Sequence, residues 1–264
     1  MITAGCDIGS RSAKAVILDD DKIISTAVIP SKLDPVESAQ AVMDMVLNNA
    51  NLKINDIQKI VGTGYGQQEI PFAHSNESEI VCHAKGAWWN IPSARMVIDI
   101  GGQDSKAIKI DENGNVVRYT YNDKCASGTG RFLEIMGDAL LVELDDMGEL
   151  GKTFTEKLRI SNQCVIFAET EVVSLINEEK EVADILNALH HSLGSRVASQ
   201  ARSLTVEQDV IMTGGVAKNI GVFESLSQGI GVPLKALDGV DPQINGALGA
   251  AIIAQEKKNK QNKN

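Results

Sequence analysis

The stretch Asp99-Ile100-Gly101-Gly102-Gln103-Asp104-Ser105-Lys106-Ala107 repeats Asp7-Ile8-Gly9-Ser10-Arg11-Ser12-Ala13-Lys14-Ala15 at an offset of 92 residues (99 − 7 and 106 − 14). Each copy follows an apolar strand, turns through glycine and enters a second strand, with an acid before the turn and a lysine after it. A glycine turn of this kind lets backbone N–H groups approach phosphate oxygens while the carboxylate holds Mg²⁺ through water. A single Asp-x-Gly also ends many plain hairpins. Two copies with acid, glycine and lysine in the same places mark an internal duplication: two similar α/β lobes able to grip one polyphosphate from both sides. Asp7 and Asp99 are therefore candidates to organise Mg²⁺, and Gly9, Ser10, Gly101 and Gly102 to hold phosphate. Lys14 and Lys106 either reach phosphate or solvate the hairpins. Gln103 or Asp104 is the candidate to position an attacking water.

Outward from the repeat, residues 2–30 read as three strands, Val36–Asn49 as a helix, and Ile57–Val61 as a strand ending at Gly62-Thr63-Gly64-Tyr65-Gly66. That glycine cluster lacks GxGxxG spacing and the acid of a dinucleotide fold. Ser78–Trp89 reads as a helix in which Cys82 packs inward. After the second repeat, Glu112-Asn113-Gly114-Asn115 turns the chain into the strand Val116–Tyr121. Helices follow to Leu141, over Leu144–Leu150, from Cys164 to Ile176 and from Glu181 to Leu204. A buried strand then runs into Gly214-Gly215 and Lys218, where paired glycines either lie flat against an adenine or ribose or make an ordinary strand-to-helix turn. Val232–Ala236 reads as a strand, Gln243–Gln255 as a closing helix of small residues, and the polar tail from Glu256 as disordered. The resulting division is lobe I (1–95), lobe II (96–240), a closing helix (241–255) and a tail (256–264).

Two of the four cysteines have a distinctive setting. Cys125, in Asn122-Asp123-Lys124-Cys125-Ala126-Ser127-Gly128-Thr129-Gly130-Arg131-Phe132, precedes a glycine-rich turn that opens into an apolar run, and Cys164 follows Ser161 and Asn162, either of which can cap the next helix. The N–H groups of a helix start stabilise a thiolate or an anionic metal cluster. Two thiolates are too few for a four-thiolate cluster within one chain, unless two chains contribute two each. The alternative is two partly buried structural thiols. Cysteine usage without a CxxC pair fits a reducing compartment. The net charge of −10 leaves no basic stripe for nucleic acid. No apolar segment approaches a bilayer span and Met1–Asp7 lacks signal-peptide features, so a cytoplasmic location without membrane partners is expected.

The three glycine turns Asp7-Ile8-Gly9-Ser10, Asp99-Ile100-Gly101-Gly102 and Met212-Thr213-Gly214-Gly215 resemble those of the acetate kinase, sugar kinase, Hsp70 and actin superfamily. That resemblance implies duplicated ribonuclease-H-like lobes in which two turns hold phosphates and the third, here with Gly214, Gly215 and Lys218, holds the nucleoside. Thr63-Gly64-Tyr65-Gly66, Cys82-His83-Ala84, Ile98 to Lys106, Asn122 to Phe132, Cys164 with Phe167-Ala168-Glu169, and Asn245-Gly246-Ala247-Leu248-Gly249-Ala250 look more closely like the activator, or component A, of 2-hydroxyacyl-CoA dehydratases, of the BadF/BadG/BcrA/BcrD-type ATPases. The match runs to about Ala254. The same family includes ATPase subunits of benzoyl-CoA reductases and reductases of double-cubane cluster proteins.

The family resemblance implies one ATP or ADP site with Mg²⁺ per chain and a homodimer sharing one [4Fe-4S] cluster, each chain giving Cys125 and Cys164. It further implies an electron donor such as ferredoxin or flavodoxin, and ATP-driven delivery of a low-potential electron to an iron-sulfur dehydratase or reductase. Cys6 stands where an aliphatic residue is more usual, and Arg11 is also less typical of the first turn. A small-molecule kinase on the same fold is the rival of another class, and would need a catalytic base and an acceptor pocket. A chaperone-like ATPase would need a separate substrate-binding domain, for which no residues are left over.

Overall fold

The computed structural model describes residues 1–160 and 164–261, so the expected caps Ser161 and Asn162 lie outside the described residues. The chain divides into two compact units, one of Met1–Ala94, Ile110–Val117 and Leu237–Asn264, the other of Arg95–Lys109 and Arg118–Ala236.

The first unit holds the strands β1 (Ile2–Ile8), β2 (Ser12–Asp19), β3 (Lys22–Pro30), β4 (Lys59–Thr63) and β5 (Ser75–Asn76) and the helices α1 (Pro35–Ala50) and α2 (Glu79–Asn90). The sheet order is β3-β2-β1-β4-β5, with β1 antiparallel to β2 and parallel to β4. Alternation along the strands decides which face meets what, because successive side chains point to opposite sides. Cys6, Ile8, Ala15 and Ile17 form a core with Val42, Met43 and Val46 of α1. Val16 and Leu18 lie in a separate core with Ala247, Leu248 and Ala251. Helix α1 starts where Asp34 Oδ1 accepts from the Val36 amide at 2.8 Å and ends at Asn51 in the left-handed conformation.

The second unit repeats the plan. Its strands β6 (Met96–Ile100), β7 (Ser105–Ile110), β8 (Val116–Asn122), β9 (Val210–Thr213) and β10 (Leu234–Lys235) lie in the order β10-β9-β6-β7-β8. Between β8 and β9 run α3 (Gly130–Leu140), α4 (Leu144–Lys152), α5 (Val165–Asn177) and α6 (Val182–Arg202), and α7 (Ile220–Ile230) follows β9. Their apolar faces share one core with the sheet, including Ile98, Phe132, Met136, Leu189 and Met212.

The chain then returns to the first unit as α8 (Asn245–Gln261), whose small residues let it press close: a side chain at Gly249 would run into the backbone carbonyl of Cys82. Residues 262–264 lie outside the described residues, and the expected disorder is corrected for Glu256 to Gln261, where α8 continues. Its last turns are built of strong helix formers, and Glu256 and Lys257 pair with Lys85 and Glu77, each at 3.2 Å. Among the described residues no helix is long and apolar enough to cross a membrane.

Candidate functional site

The duplicated hairpins superpose in register as well as in sequence. In the first unit Asp7 pairs across the strands with Lys14 on one side and Thr63 on the other. In the second, Asp99 pairs with Lys106 and Thr213. The repeat thus reaches a third strand that sequence reasoning treated as two unrelated features, Thr63-Gly64 and Thr213-Gly214. Gly64 and Gly214 sit at φ +85° and +86°, and a side chain on either would strike the neighbouring aspartate and the carbonyl of Ile8 or Ile100. Only glycine accepts both the left-handed backbone and that proximity.

The turns are tighter than expected. The Gly9 amide donates to Ser12 O at 3.1 Å and the Gly101 amide to Asp104 O at 2.9 Å, so both N–H groups close their own hairpins. The neighbouring amides of Ser10 and Gly102 take no part in these two bonds.

Around Asp99 the second unit builds a buried charge network. Lys106 Nζ lies 3.2 Å from Asp99 Oδ2 and 2.8 Å from Asp104 Oδ2, with its side chain only 2% exposed. Thr213 Oγ1 donates to Asp99 Oδ1 at 3.0 Å and Tyr121 Oη to Asp104 Oδ2 at 3.1 Å, and the ammonium also lies 5.5 Å from the Tyr121 ring centre. Solvation of the hairpin by Lys106 is therefore excluded. Two carboxylates thus share one ammonium, and carboxylate oxygens are the ligand type that a hydrated Mg²⁺ takes. Asp104 is buried in the network whereas Gln103 is exposed. Around Asp7 the first unit holds Lys14 Nζ at 3.2 Å. In the third turn Gly214 is buried, and the exposed Gly215 and Lys218 bound a single 3₁₀ turn. Tyr121 and Thr213 escaped the sequence reading because hairpin and crossover geometry, not spacing, brings them to the acids.

The cysteines separate into two pairs. Cys6 and Cys82 are buried. Burial pushes the Cys6 thiol far up and that of Cys82 to about 12. Cys125 and Cys164 are partly exposed. At Cys125 burial works against ionisation, but hydrogen bonds from the Ser127 hydroxyl and amide, with the Arg196 charge, outweigh it and hold the thiol below its ordinary range. The Cys125 Sγ to Ser127 Oγ distance is 3.1 Å. Asn122 clamps the loop from both sides, its Oδ1 accepting from the Cys125 amide at 3.2 Å and its Nδ2 donating to Cys125 O at 2.9 Å.

Cys164 lies at the start of α5, as expected, but is itself the N-cap residue in place of Ser161 or Asn162. Cys125 is not at the start of α3: it heads the short 3₁₀ turn Ala126–Gly128, and Thr129 is extended before the helix begins. The first amides of α3 are taken up elsewhere, Gly130 N donating to Gly101 O at 2.8 Å and Arg131 N to Gly102 O at 2.7 Å. Anion stabilisation at Cys125 thus falls to Ser127 and Arg196, the latter supplied by α6. Among the described residues no three His, Cys, Asp or Glu side chains are grouped to hold a metal ion.

The arrangement has known counterparts. The chain is 43% identical to the activator of lactoyl-CoA dehydratase from Anaerotignum propionicum, over 97% of this chain and 98% of the relative. It is similar to the solved activator of the 2-hydroxyisocaproyl-CoA dehydratase from Clostridium difficile with bound ADPNP, at 38% identity and TM-score 0.94, covering 100% of this chain and 98% of that one. At the level of fold alone it is similar to a ROK family glucokinase from Streptomyces griseus, at 15% identity and TM-score 0.62, covering 97% of this chain and 100% of that one. The two-lobed α/β fold expected from the sequence is thus one that sugar kinases also have. Residues 4–254 match the model of one family, and the chain belongs to it: the BadF/BadG/BcrA/BcrD ATPase family.

Proposed function

We propose that this ATPase is the activator of a 2-hydroxyacyl-CoA dehydratase, a homodimer that couples ATP hydrolysis to delivery of one low-potential electron to its iron-sulfur partner. The observation that carries the coupling is the pair of hydrogen bonds from Gly130 and Arg131 to the carbonyls of Gly101 and Gly102. The phosphate turn and the stretch after Cys125 are thereby one hydrogen-bonded piece, so a shift of the turn between ATP and ADP is felt at the thiol loop.

In this reading the amides of Ser10 and Gly102 hold phosphate oxygens, Asp7 and Asp99 orient the waters of Mg²⁺, and Gly215 with Lys218 borders the nucleoside. The Asp99 and Asp104 carboxylates around Lys106 support a cation in the second unit. Lys106 and Lys14 act as clamps on the carboxylates. The exposed Gln103 orients the attacking water, and Asp104 acts through Lys106.

Cys125 and Cys164 are the thiolates that would hold a [4Fe-4S] cluster, together with the same pair from a second copy. When bound, such a cluster supplies the one-electron carrier. Self-association is supported by Ile166, Phe167, Val173 and Ile176 of α5, which are 66, 62, 48 and 41% exposed just beyond Cys164. Lowering a one-electron potential by roughly 200 mV takes about 4–5 kcal/mol, within the range that altered helix ends, hydration and docking supply. The names of the relatives favour a hydroxyacyl-CoA dehydratase as partner over a benzoyl-CoA reductase or a double-cubane protein, with ferredoxin or flavodoxin as donor.

The test is to reduce the reconstituted protein, add Mg-ATP or Mg-ADP, and compare the electron paramagnetic resonance spectrum and chelator accessibility. Different spectra for the two nucleotides, without phosphate transfer to an added sugar or carboxylate, are expected. Identical spectra with phosphate transfer would establish the kinase reading instead.

A further inference from the structure

The hairpin that carries Asp99 and Asp104 is tied by a side chain to one of the helices between β8 and β9. Ser105, which stands between Asp104 and Lys106 at the start of β7, is fully buried. Its place in the first repeat is held by Ala13 (105 − 92), which has no hydroxyl. Gln200 of α6 meets Ser105 with both ends of its amide: Nε2 donates to the Ser105 carbonyl at 3.0 Å and Oε1 accepts from the Ser105 hydroxyl at 3.2 Å. A carbonyl oxygen accepts only, so the amide nitrogen must face it, and the amide oxygen is left for the hydroxyl, which donates. Two bonds from one planar amide fix orientation as well as distance, because each limits the rotation that the other leaves free.

The same helix reaches the thiol turn. Arg196 lies four residues before Gln200, and residues at that spacing are neighbours on one helix surface. The Arg196 charge acts on the Cys125 thiol. A side chain at Gly128, in the 3₁₀ turn that Cys125 heads, would meet Arg196 Cγ at 3.3 Å. Leu189, Leu193, Val197 and Ala201 of α6 are fully buried in the core, and a close-packed helix shifts as one body because the packing around it transmits strain.

We propose that Gln200 is a positioning residue that couples the Asp99–Lys106 hairpin to the thiol turn through α6. The inference rests on the reading of that hairpin as part of the ATP site, and it names a side chain through which nucleotide state is passed on. A change in the Ser105 backbone between Mg-ATP and Mg-ADP is carried by the two amide bonds to α6, and by Arg196 to the turn after Cys125. This line runs beside the main-chain bonds from Gly130 and Arg131 to Gly101 and Gly102. Unlike them it depends on a side chain, so a substitution can remove it without touching the carboxylates or the thiols.

The experiment measures hydrogen exchange in the full-length, cluster-free chain with Mg-ADPNP or Mg-ADP, together with steady-state ATPase, for wild type, Gln200→Leu and Ser105→Ala. Wild type is expected to exchange at different rates in the two nucleotides over residues 122–131 and over α6. In Gln200→Leu the ratio of the two rates is expected to shrink about 2- to 30-fold, the range over which a residue between coupled sites acts, while kcat and KM for ATP stay within about threefold. Ser105→Ala, which keeps the carbonyl bond and loses the hydroxyl one, should fall between the two. An unchanged ratio in Gln200→Leu, or a collapse of its ATPase, would overturn the role of Gln200 and leave the coupling itself standing. Equal exchange in the two nucleotides in wild type would overturn the coupling reading beneath it. Should Gln200→Leu fail to fold, Ser105→Ala decides: a ratio below that of wild type supports the proposal and a ratio equal to it overturns it.

Discussion

The two units share a sheet order and a hairpin, yet their third and fourth strands are joined by 28 residues in the first (31–58) and 87 in the second (123–209). The short connection folds as α1 and covers its sheet. The long one becomes α3 to α6 and carries Cys125 and Cys164. Loop-closure entropy grows slowly with length, so one connection can be expanded while the pairing of the strands it joins is kept. The lesson is a division of labour. In the proposed reading what is duplicated serves phosphate, and what is added to one lobe alone serves the thiols. The carboxylates have diverged too: Asp99 sits in a buried network with Lys106 and Thr213, whereas Asp7 is paired with the more exposed Lys14.

The contrast is broken most forcefully at the lysines. Lys106→Met leaves two buried carboxylates without their shared cation and is expected to cost about 3–5 kcal/mol. Lys14→Met, at a side chain 13% exposed, should cost only about 1–2 kcal/mol, because water can reach the site. Urea unfolding of both variants measures this, and equal losses would erase the proposed difference between the networks.

A smaller effect distinguishes the turns. Gln103 and Arg11 occupy equivalent places at the 92-residue offset. Gln103→Ala is expected to lower ATPase kcat about 100-fold, the scale of a lost water-positioning group, and Arg11→Ala to leave it within about threefold. Steady-state phosphate release reports both, and equal losses in the two variants would place the attacking water symmetrically and contradict the asymmetry.

The smallest is a pH effect confined to the expanded unit. His190 on α6 is fully buried, and burial, followed by the charge of His191, holds its pKa down to about 4 from 6.5. With the folded value depressed, the unfolded chain takes up the proton first. The associated stability is present above pH 6.5 and is lost as pH falls toward 4, about 2 kcal/mol of it by pH 5. His190→Gln should flatten that fall, and hydrogen exchange in wild type should show protection lost in α4, α6 and α7 before the sheet of the first unit. A fall in protection shared by both units would assign it to other groups.

Much of the fold was legible because the repeat at Asp7 and Asp99 preserves residue type at fixed spacing, and side-chain alternation does the rest. The equivalence of the strands ending at Thr63 and Thr213 was missed because the longer connection moves their offset from 92 to 150 residues (213 − 63), which hides the kinship of Thr63-Gly64 and Thr213-Gly214. Within the site, Cys125 and Cys164 stood out by local sequence alone. The burial of Lys106, the contact of Tyr121 with Asp104 and the influence of Arg196 on Cys125 were not legible, since each depends on an element 15 or more residues away meeting the site through packing. The continuation of α8 past Glu256 was missed for a related reason: its polar residues read as solvated chain until Lys85 and Glu77 are placed beside them.

The central claim, that the added helices make this chain half of a cluster-bearing dimer, is tested most directly by reconstituting the protein anaerobically with iron and sulfide and measuring both together with molecular mass. About four irons and four sulfides per two chains are expected, abolished by Cys125→Ser or Cys164→Ser and kept in Cys82→Ser. A monomer, or a fully coloured Cys125→Ser protein, would contradict the account.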